Sequence, residues 1–297
     1  MSSNIVLGSA VRENLLALQG INSQINTSEN HLATGLKVAS AIDNAVSFFQ
    51  AQSLDNRASD LLERKANIDQ AISSLTTATN AAQSVVSILQ QLQGVVNSAK
   101  TETGAQLTSA GTQFSTLLKQ LNNLVGDSSY QGLNLVNSAT STLSVQFSLT
   151  STSVLKVTGS NLNSSAIVGA AAFSGIKFSF GGANGVSAGS GLSTAIGKFS
   201  AATNTQLNGV FNVLQNAIQT VQGDAQSLGA NVTLLQTRLS FTAQYATTLQ
   251  GGADKLTLAD VNAESTNLVT LQTRQQLSIQ SLSIATQSEQ AVLRLFH

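Results

Sequence analysis

From Leu207 to Leu249, apolar residues recur in alternating steps of four and three: Leu207, Phe211, Leu214, Ile218, Val221, Ala225, Leu228, Val232, Leu235 and Leu239, then Thr242, Ala246 and Leu249. Thr242 is the one polar break in that seam. A 3.5-residue repeat keeps a narrow stripe of a long helix turned toward one partner, so the stretch predicts a coiled-coil-like element of about 40 residues. It needs a second long helix to bury against. Leu54, Leu61, Ile68, Leu75, Ala82, Leu89 and Val96 fall at strict intervals of seven, and Ala71, Ala78, Val85 and Leu92 add the other seam position. Each run covers about 43 residues, roughly 65 Å of helix. Two runs of matched length predict an outgoing and a returning leg of one hairpin.

Shorter elements flank this pair. Between Ile5 and about Leu32 the residues Leu15, Leu18, Ile21, Ile25 and Leu32 recur at helical spacing. Gly35 then reads either as a helix C-cap or as a simple turn before a new segment near Ser40. A third helix is predicted by Leu107, Phe114, Leu117, Leu118, Leu121 and Val125, ending at Gly126-Asp127. After Tyr130-Gln131-Gly132, polar and apolar residues alternate from Thr142 to Leu149 and again from Ser153 to Val157, which predicts a β-hairpin. A further strand is expected at Ile176 to Phe180, and the glycines between Gly181 and Gly191 are expected to make turns.

Gly251-Gly252 is expected to break the returning helix, with a last segment from about Leu258. There Leu268, Leu271, Leu282, Leu293 and Leu295 keep helical spacing, widened by Ile279, Val292 and Phe296. Both ends of the chain are thus amphipathic helices that the central pair does not bury. Such helices either fray or find a partner in another molecule. The predicted fold is mainly α: an elongated antiparallel helical bundle with coiled-coil-like terminal helices, a β-hairpin and a small irregular or β middle region.

Composition sharpens this picture. The 297 residues include no proline, no cysteine and no tryptophan, with 42% hydrophobic and 9% charged residues. Absence of proline suits long uninterrupted helices. Absence of cysteine excludes disulfides and thiolate metal sites. The formal net charge of zero gives no electrostatic reason to expect nucleic acid or an anionic membrane as partner. No apolar run reaches the roughly 18 residues that span a bilayer. The N-terminal stretch MSSNIVLGSAVRENLL lacks the basic segment and apolar core of a cleaved signal, so none is expected.

Candidate chemistry is sparse. His31 and His297 are the only histidines, too little material for a Ser-His-Asp site or a histidine metal cluster. Asp55, Asp60, Glu63 and Asp69 share a helix with Arg57, Arg64 and Lys65, a solvated face with weak pairs such as Asp60 to Arg64. The glycine-rich run has no Gly-Lys-Ser/Thr ending, which disfavours a phosphate loop. No enzyme, cofactor or metal is expected.

Two motifs carry a resemblance. Leu32-Ala33-Thr34-Gly35-Leu36-Lys37-Val38-Ala39-Ser40-Ala41-Ile42-Asp43-Asn44-Ala45 resembles the N-terminal signature of bacterial flagellins, in which a Leu-x-x-Gly turn leads through a basic residue to Ser-Ala-x-Asp-Asp/Asn-Ala. Leu258-Ala259-Asp260-Val261-Asn262-Ala263-Glu264, followed by Leu268, Gln276, Ser281-Leu282, Gln290, Leu293 and Leu295, is similar to that family's C-terminal region. The resemblance covers roughly residues 1–138 and 200–297.

It implies a structural subunit that polymerises into the helical filament of the bacterial flagellum, for motility. The domains implied are a discontinuous terminal one, 1–42 with 256–297, an elongated bundle, 43–138 with 200–255, and a small outward-facing region, 139–199. The subunit interface is expected on Leu15, Leu18, Ile21, Ile25 and Leu32 with Leu268, Leu271, Leu282 and Leu293. The implied partners are other copies of the chain, the flagellar type III export apparatus, an export chaperone, and hook-associated and cap proteins. The implied location is the extracellular filament, with no membrane insertion. A hook-filament junction protein shares such terminal helices and stays as the alternative. A coiled-coil adhesin or adaptor leaves both motifs unexplained. In receptor-activating flagellins an arginine-bearing patch lies on the long N-terminal helix; counted from the Gly35 motif, that position here is Gln91, which implies weak recognition by a Toll-like receptor.

Overall fold

The structure is a computed structural model that describes residues 9–148, 153–168 and 203–295. In chain order it contains α1 (Ser9–Thr34), α2 (Ala41–Ala99), α3 (Ala105–Asp127), β1 (Thr142–Gln146), β2 (Val154–Thr158), a one-turn α4 (Ser164–Ile167), α5 (Asn204–Thr257) and α6 (Val261–Leu295). The fold is mainly α with one antiparallel hairpin. The strand expected at Ile176 to Phe180 and the glycine run that follows lie outside the described residues, as do Ile5 and Phe296. The chain divides into two compact units, a terminal one of Met1–Ser59 with Ala246–His297 and a central one of Asp60–Tyr245.

The central unit buries the heptad seams. On α2, Ile68, Leu75, Ala82, Leu89 and Val96 are all buried, with Ala71, Ala78, Val85 and Leu92 beside them. On α5, Leu207, Leu214, Ile218, Val221, Leu228 and Leu235 join the same core. From α3 come Leu107, Phe114, Leu118, Leu121 and Val125. Each fully buried Leu or Phe contributes about 1.5–3 kcal/mol relative to its exposed state, so the three helices hold one another through apolar burial rather than through charge. At the rim, Lys100 stands over the Phe211 ring at 4.6 Å and Arg238 over Phe147 at 5.2 Å.

Asn134 fastens α3 to the hairpin. Its side-chain amide donates to the Val125 and Gly126 carbonyls at 2.7 and 3.1 Å, satisfying acceptors that the end of the helix leaves open. Its oxygen accepts from the backbone N–H groups of Val136 and Asn137. β1 and β2 then pair from Thr142↔Thr158 to Gln146↔Val154. Val145 and Val157 turn into the core with Leu135, Val136 and Leu162. Gly159 follows β2 where two backbone carbonyls crowd it: a Cβ there would lie 2.6 Å from the Ser138 oxygen and 2.7 Å from that of Leu135.

Two expectations are corrected. Gly251-Gly252 does not break the helix, and α5 runs through it to Thr257. Two glycines cost a helix about 1 kcal/mol each, less than the burial of Ala246, Leu249 and Ala253 around them returns. Arg64 does not pair with Asp60. Its Nη1 donates to Gln146 Oε1 at 3.4 Å, and the i,i+4 pair on this face is Lys65 with Asp69 at 3.4 Å. No described helix is long and apolar enough to cross a membrane.

Candidate assembly surface at the terminal helices

In the terminal unit α1 and α6 run antiparallel. His31 Nδ1 meets Glu264 Oε1 at 3.1 Å, Asn267 Nδ2 donates to Ser28 Oγ at 3.4 Å, and Gln275 Nε2 donates to Asn22 Oδ1 at 2.6 Å. The partner's number rises as that of α1 falls, which fixes the register. Of the stripe residues predicted from sequence, Ile25 and Leu271 are buried in this pair. Leu18, Ile21, Leu32, Leu268 and Leu282 are half-buried, and Leu15 is exposed. The backbone of Leu293 lies in α6, and its side chain lies outside the described ones.

The turns that end these helices are bonded to each other. α1 stops at Gly35, whose φ of 72° places it in the left-handed region that a helix-terminating glycine adopts without steric cost. Its N–H donates to the His31 carbonyl at 2.8 Å. Beyond it, the N–H groups of Lys37 and Val38 both donate to the Thr257 carbonyl, at 2.8 and 3.2 Å, and that of Ala259 donates to the Gly35 carbonyl at 2.9 Å. Leu36 and Leu258 thereby form an antiparallel bridge. The signature sequence around Gly35 and the one around Ala259-Asp260 therefore meet as backbone partners.

Local side chains complete both turns. Asp43 accepts from the backbone N–H of Ser40 at 2.9 Å, that of Ala39 at 3.1 Å and the Ser40 hydroxyl at 3.0 Å. The Ser40 N–H, followed by the Ser40 hydroxyl, holds the Asp43 carboxyl below the usual carboxylate range. Asn44 has extended backbone, φ −160°, and its Oδ1 accepts from Ser47 N–H at 3.0 Å, so it caps the long helix that follows. Asp260 does the same for α6, accepting from Asn262 and Ala263.

What this unit leaves uncovered is apolar. On α6, Val269, Leu277 and Ile284 are exposed on the far side from Leu271, and Val261 and Ile279 are exposed beside the buried stripe. Leu16 of α1 is exposed as well. At the start of α2, Ile42 is 97% exposed, with Val46 and Phe49 open on the following turns. A helix with apolar residues on most of its circumference is built to be covered on more than one side. The subunit interface expected from the sequence lies on the stripe that contains Ile25 and Leu271, and this second face lies outside it. The cue available was the width of the apolar pattern on the last helix, where Val269, Leu277 and Ile284 fall outside the stripe.

Paired chain ends with an uncovered apolar face, and a central unit whose core is closed, define a helical structural subunit that associates. The model for the bacterial flagellin N-terminal helical region matches residues 8–141, and that for the bacterial flagellin C-terminal helical region matches residues 211–296. The chain belongs to the flagellin family, the structural subunits of the extracellular filament of the bacterial flagellum. It is similar to flagellin FljO of Caulobacter vibrioides, 27% identical over 95% of each chain, and to a flagellin of Brucella melitensis, 25% identical over 99% of each. The crystal structure of Bacillus cereus flagellin matches with 15% identity and a TM-score of 0.44, over 59% of this chain and 88% of that one. The Caulobacter and Brucella relatives are named as flagellins, which favours the filament subunit over the junction protein.

Proposed function

We propose that this flagellin polymerises through its paired terminal helices, with two faces in different roles. The stripe of Leu15, Leu18, Ile21, Ile25 and Leu32 with Leu268, Leu271, Leu282 and Leu293 is a subunit interface, whose buried Ile25 and Leu271 also hold α1 to α6. The second face, with Leu277 and Ile284 at its centre, meets neighbouring copies. The observation that carries this reading is the exposed apolar row on α6 opposite the buried Leu271. An interface that relates each copy to the next without closing gives an open filament.

In this reading the chain leaves the cell through the flagellar type III apparatus, escorted by an export chaperone that covers the apolar helices. Hook-associated and cap proteins border the finished filament. The domain division 1–42 with 256–297, 43–138 with 200–255, and 139–199 separates the part that assembles from the part that faces outward. Gln91, exposed on α2, leaves the purified monomer a weak activator of a Toll-like-receptor reporter cell. The central test is removal of residues 260–297, followed by addition of polymerising salt and electron microscopy. The shortened chain is expected to give no filaments; long uniform tubes from it would overturn the proposal.

A further inference from the structure

A cleft of about 390 Å³ opens in the central unit between α2, the turn from Tyr130 to Leu133, and β1. α2 contributes Arg64, Gln70 and Ser74 to its lining, and β1 contributes Gln146. The turn is held in place: Gln131 adopts a left-handed φ of 49°, and both Tyr130 Oη and Gln131 Nε2 donate to Gln70 Oε1, at 2.7 and 3.0 Å. Inside, Arg64 Nε and Ser74 Oγ are buried with no hydrogen-bond partner among the described residues, and Ser74 is only 5% exposed. Among the described residues the one bond from the guanidinium is the 3.4 Å contact with Gln146. A buried polar group left unsatisfied is costly, more so when charged. The site therefore asks for an acceptor, and a carboxylate matches a guanidinium fork best.

Among the described residues no acidic side chain lines the cleft. Asp69 is engaged by Lys65, and Asp60 makes no ion pair among the described residues. Residues 149–152 and 169–202 contain no Asp or Glu; their charged residues are Lys177 and Lys198. Among the described residues none offers Arg64 a carboxylate.

We propose that the cleft is a socket for an acidic side chain of a neighbouring copy, and that Glu102 is that side chain. The inference rests on the filament reading. α2 runs helically from Arg64 to Ala99, a length of about 52 Å at 1.5 Å per residue. The turn after it carries Glu102, whose carboxylate has no hydrogen bond or ion pair among the described residues. Its basic neighbour Lys100 is turned over Phe211 instead. At this end of the central unit Glu102 is the one acid among the described residues: Asp69 lies midway along α2, Asp127 at the far end of α3, and Asp224 partway along α5. Copies stacked end to end at a repeat near that length bring Glu102 of one to Arg64 and Ser74 of the next. An empty cationic socket at one end and an unpaired acid at the other are the two halves of a head-to-tail contact.

The test is seeded polymerisation of full-length protein with Glu102→Gln, Arg64→Glu, Glu102→Arg and the exchanged pair Arg64→Glu with Glu102→Arg. Glu102→Gln sits in a surface turn and leaves the fold intact, which circular dichroism of the monomer verifies. It is expected to raise the monomer concentration left at equilibrium about tenfold. The exchanged pair is expected to recover most of what either single reversal loses, and fibre diffraction of the wild-type filament to give an axial repeat near that of the Arg64–Ala99 span. Glu102→Gln polymerising at the wild-type concentration, or an exchanged pair no better than its worse single variant, would overturn the socket while leaving the filament reading untouched. Wild-type protein that forms no filament at all would overturn both.

Discussion

The two units are built from the same kinds of residue and use them differently. In the central unit the apolar positions of three helices converge until Phe114, Leu89 and Leu214 have no exposed surface. In the terminal unit α1 and α6 share one buried stripe and hold a comparable set of aliphatic side chains in the open. Two helices cannot enclose a core, because each covers only one side of the other, whereas a third closes the remaining gap. The contrast teaches that apolar content does not distinguish a stable part from an associating one. What distinguishes them is whether the chain itself supplies enough partners.

That contrast can be broken at its strongest point first. Phe114→Ala empties the centre of the central unit and is expected to cost about 3–5 kcal/mol in a urea titration of the monomer; a cost below 1 kcal/mol would mean that the core is not closed. Leu277→Asp on the open face of α6 should change the monomer's stability by less than about 0.5 kcal/mol and yet abolish the sedimentable polymer. A monomer destabilised as much as by Phe114→Ala would erase the difference between the units. Gly159→Ala forces a methyl group against two carbonyl oxygens and is expected to cost about 1–3 kcal/mol, seen as a lowered melting temperature of the central unit.

Smaller changes sharpen the terminal unit. Gly35→Ala asks a side chain to accept a φ of 72°, at about 1 kcal/mol, and should loosen amide protection at Lys37 and Ala259 before that of the α2 core. Asp43 gives the mildest effect. Its carboxyl titrates below its unfolded value, so its help to the turn is present at neutral pH and fades as the pH falls through that lowered value. The protection of the Ala39 and Ser40 amides, relative to their intrinsic exchange rates at each pH, should fall in acid, and Asp43→Asn should remove that dependence on pH; an unchanged acid response in the variant would show that another group controls the turn.

Much of this was legible in the sequence, and the residues show why. The seam from Leu207 to Leu249 predicted a burial pattern, and a long helix has few ways to satisfy a 3.5-residue repeat other than a facing partner. The hairpin followed from alternation between Thr142 and Val157. Gly251-Gly252 misled because glycine weakens a helix locally, while the decision to stop is made where the backbone finds another partner, here at Leu36 and Leu258. The candidate surface was legible only in half. Periodicity marks which positions are apolar, and Leu271 and Leu277 look equally apolar on that basis. Which of them its own chain covers depends on α1, more than 230 residues away. Arg64 was hidden for the same reason, since its neighbour Gln146 is 82 positions along the chain.

The bonded turns at Gly35 and Ala259 have a consequence for timing. Their donors and acceptors are separated by more than two hundred residues, so closing them confines a very long loop and is favoured only after the intervening helices have already shortened the distance. α1 has its partner only when α6 is free to reach it. A chain still emerging from a ribosome lacks this pair, and if assembly runs through it as proposed, the order of folding itself keeps polymerisation waiting for a finished molecule.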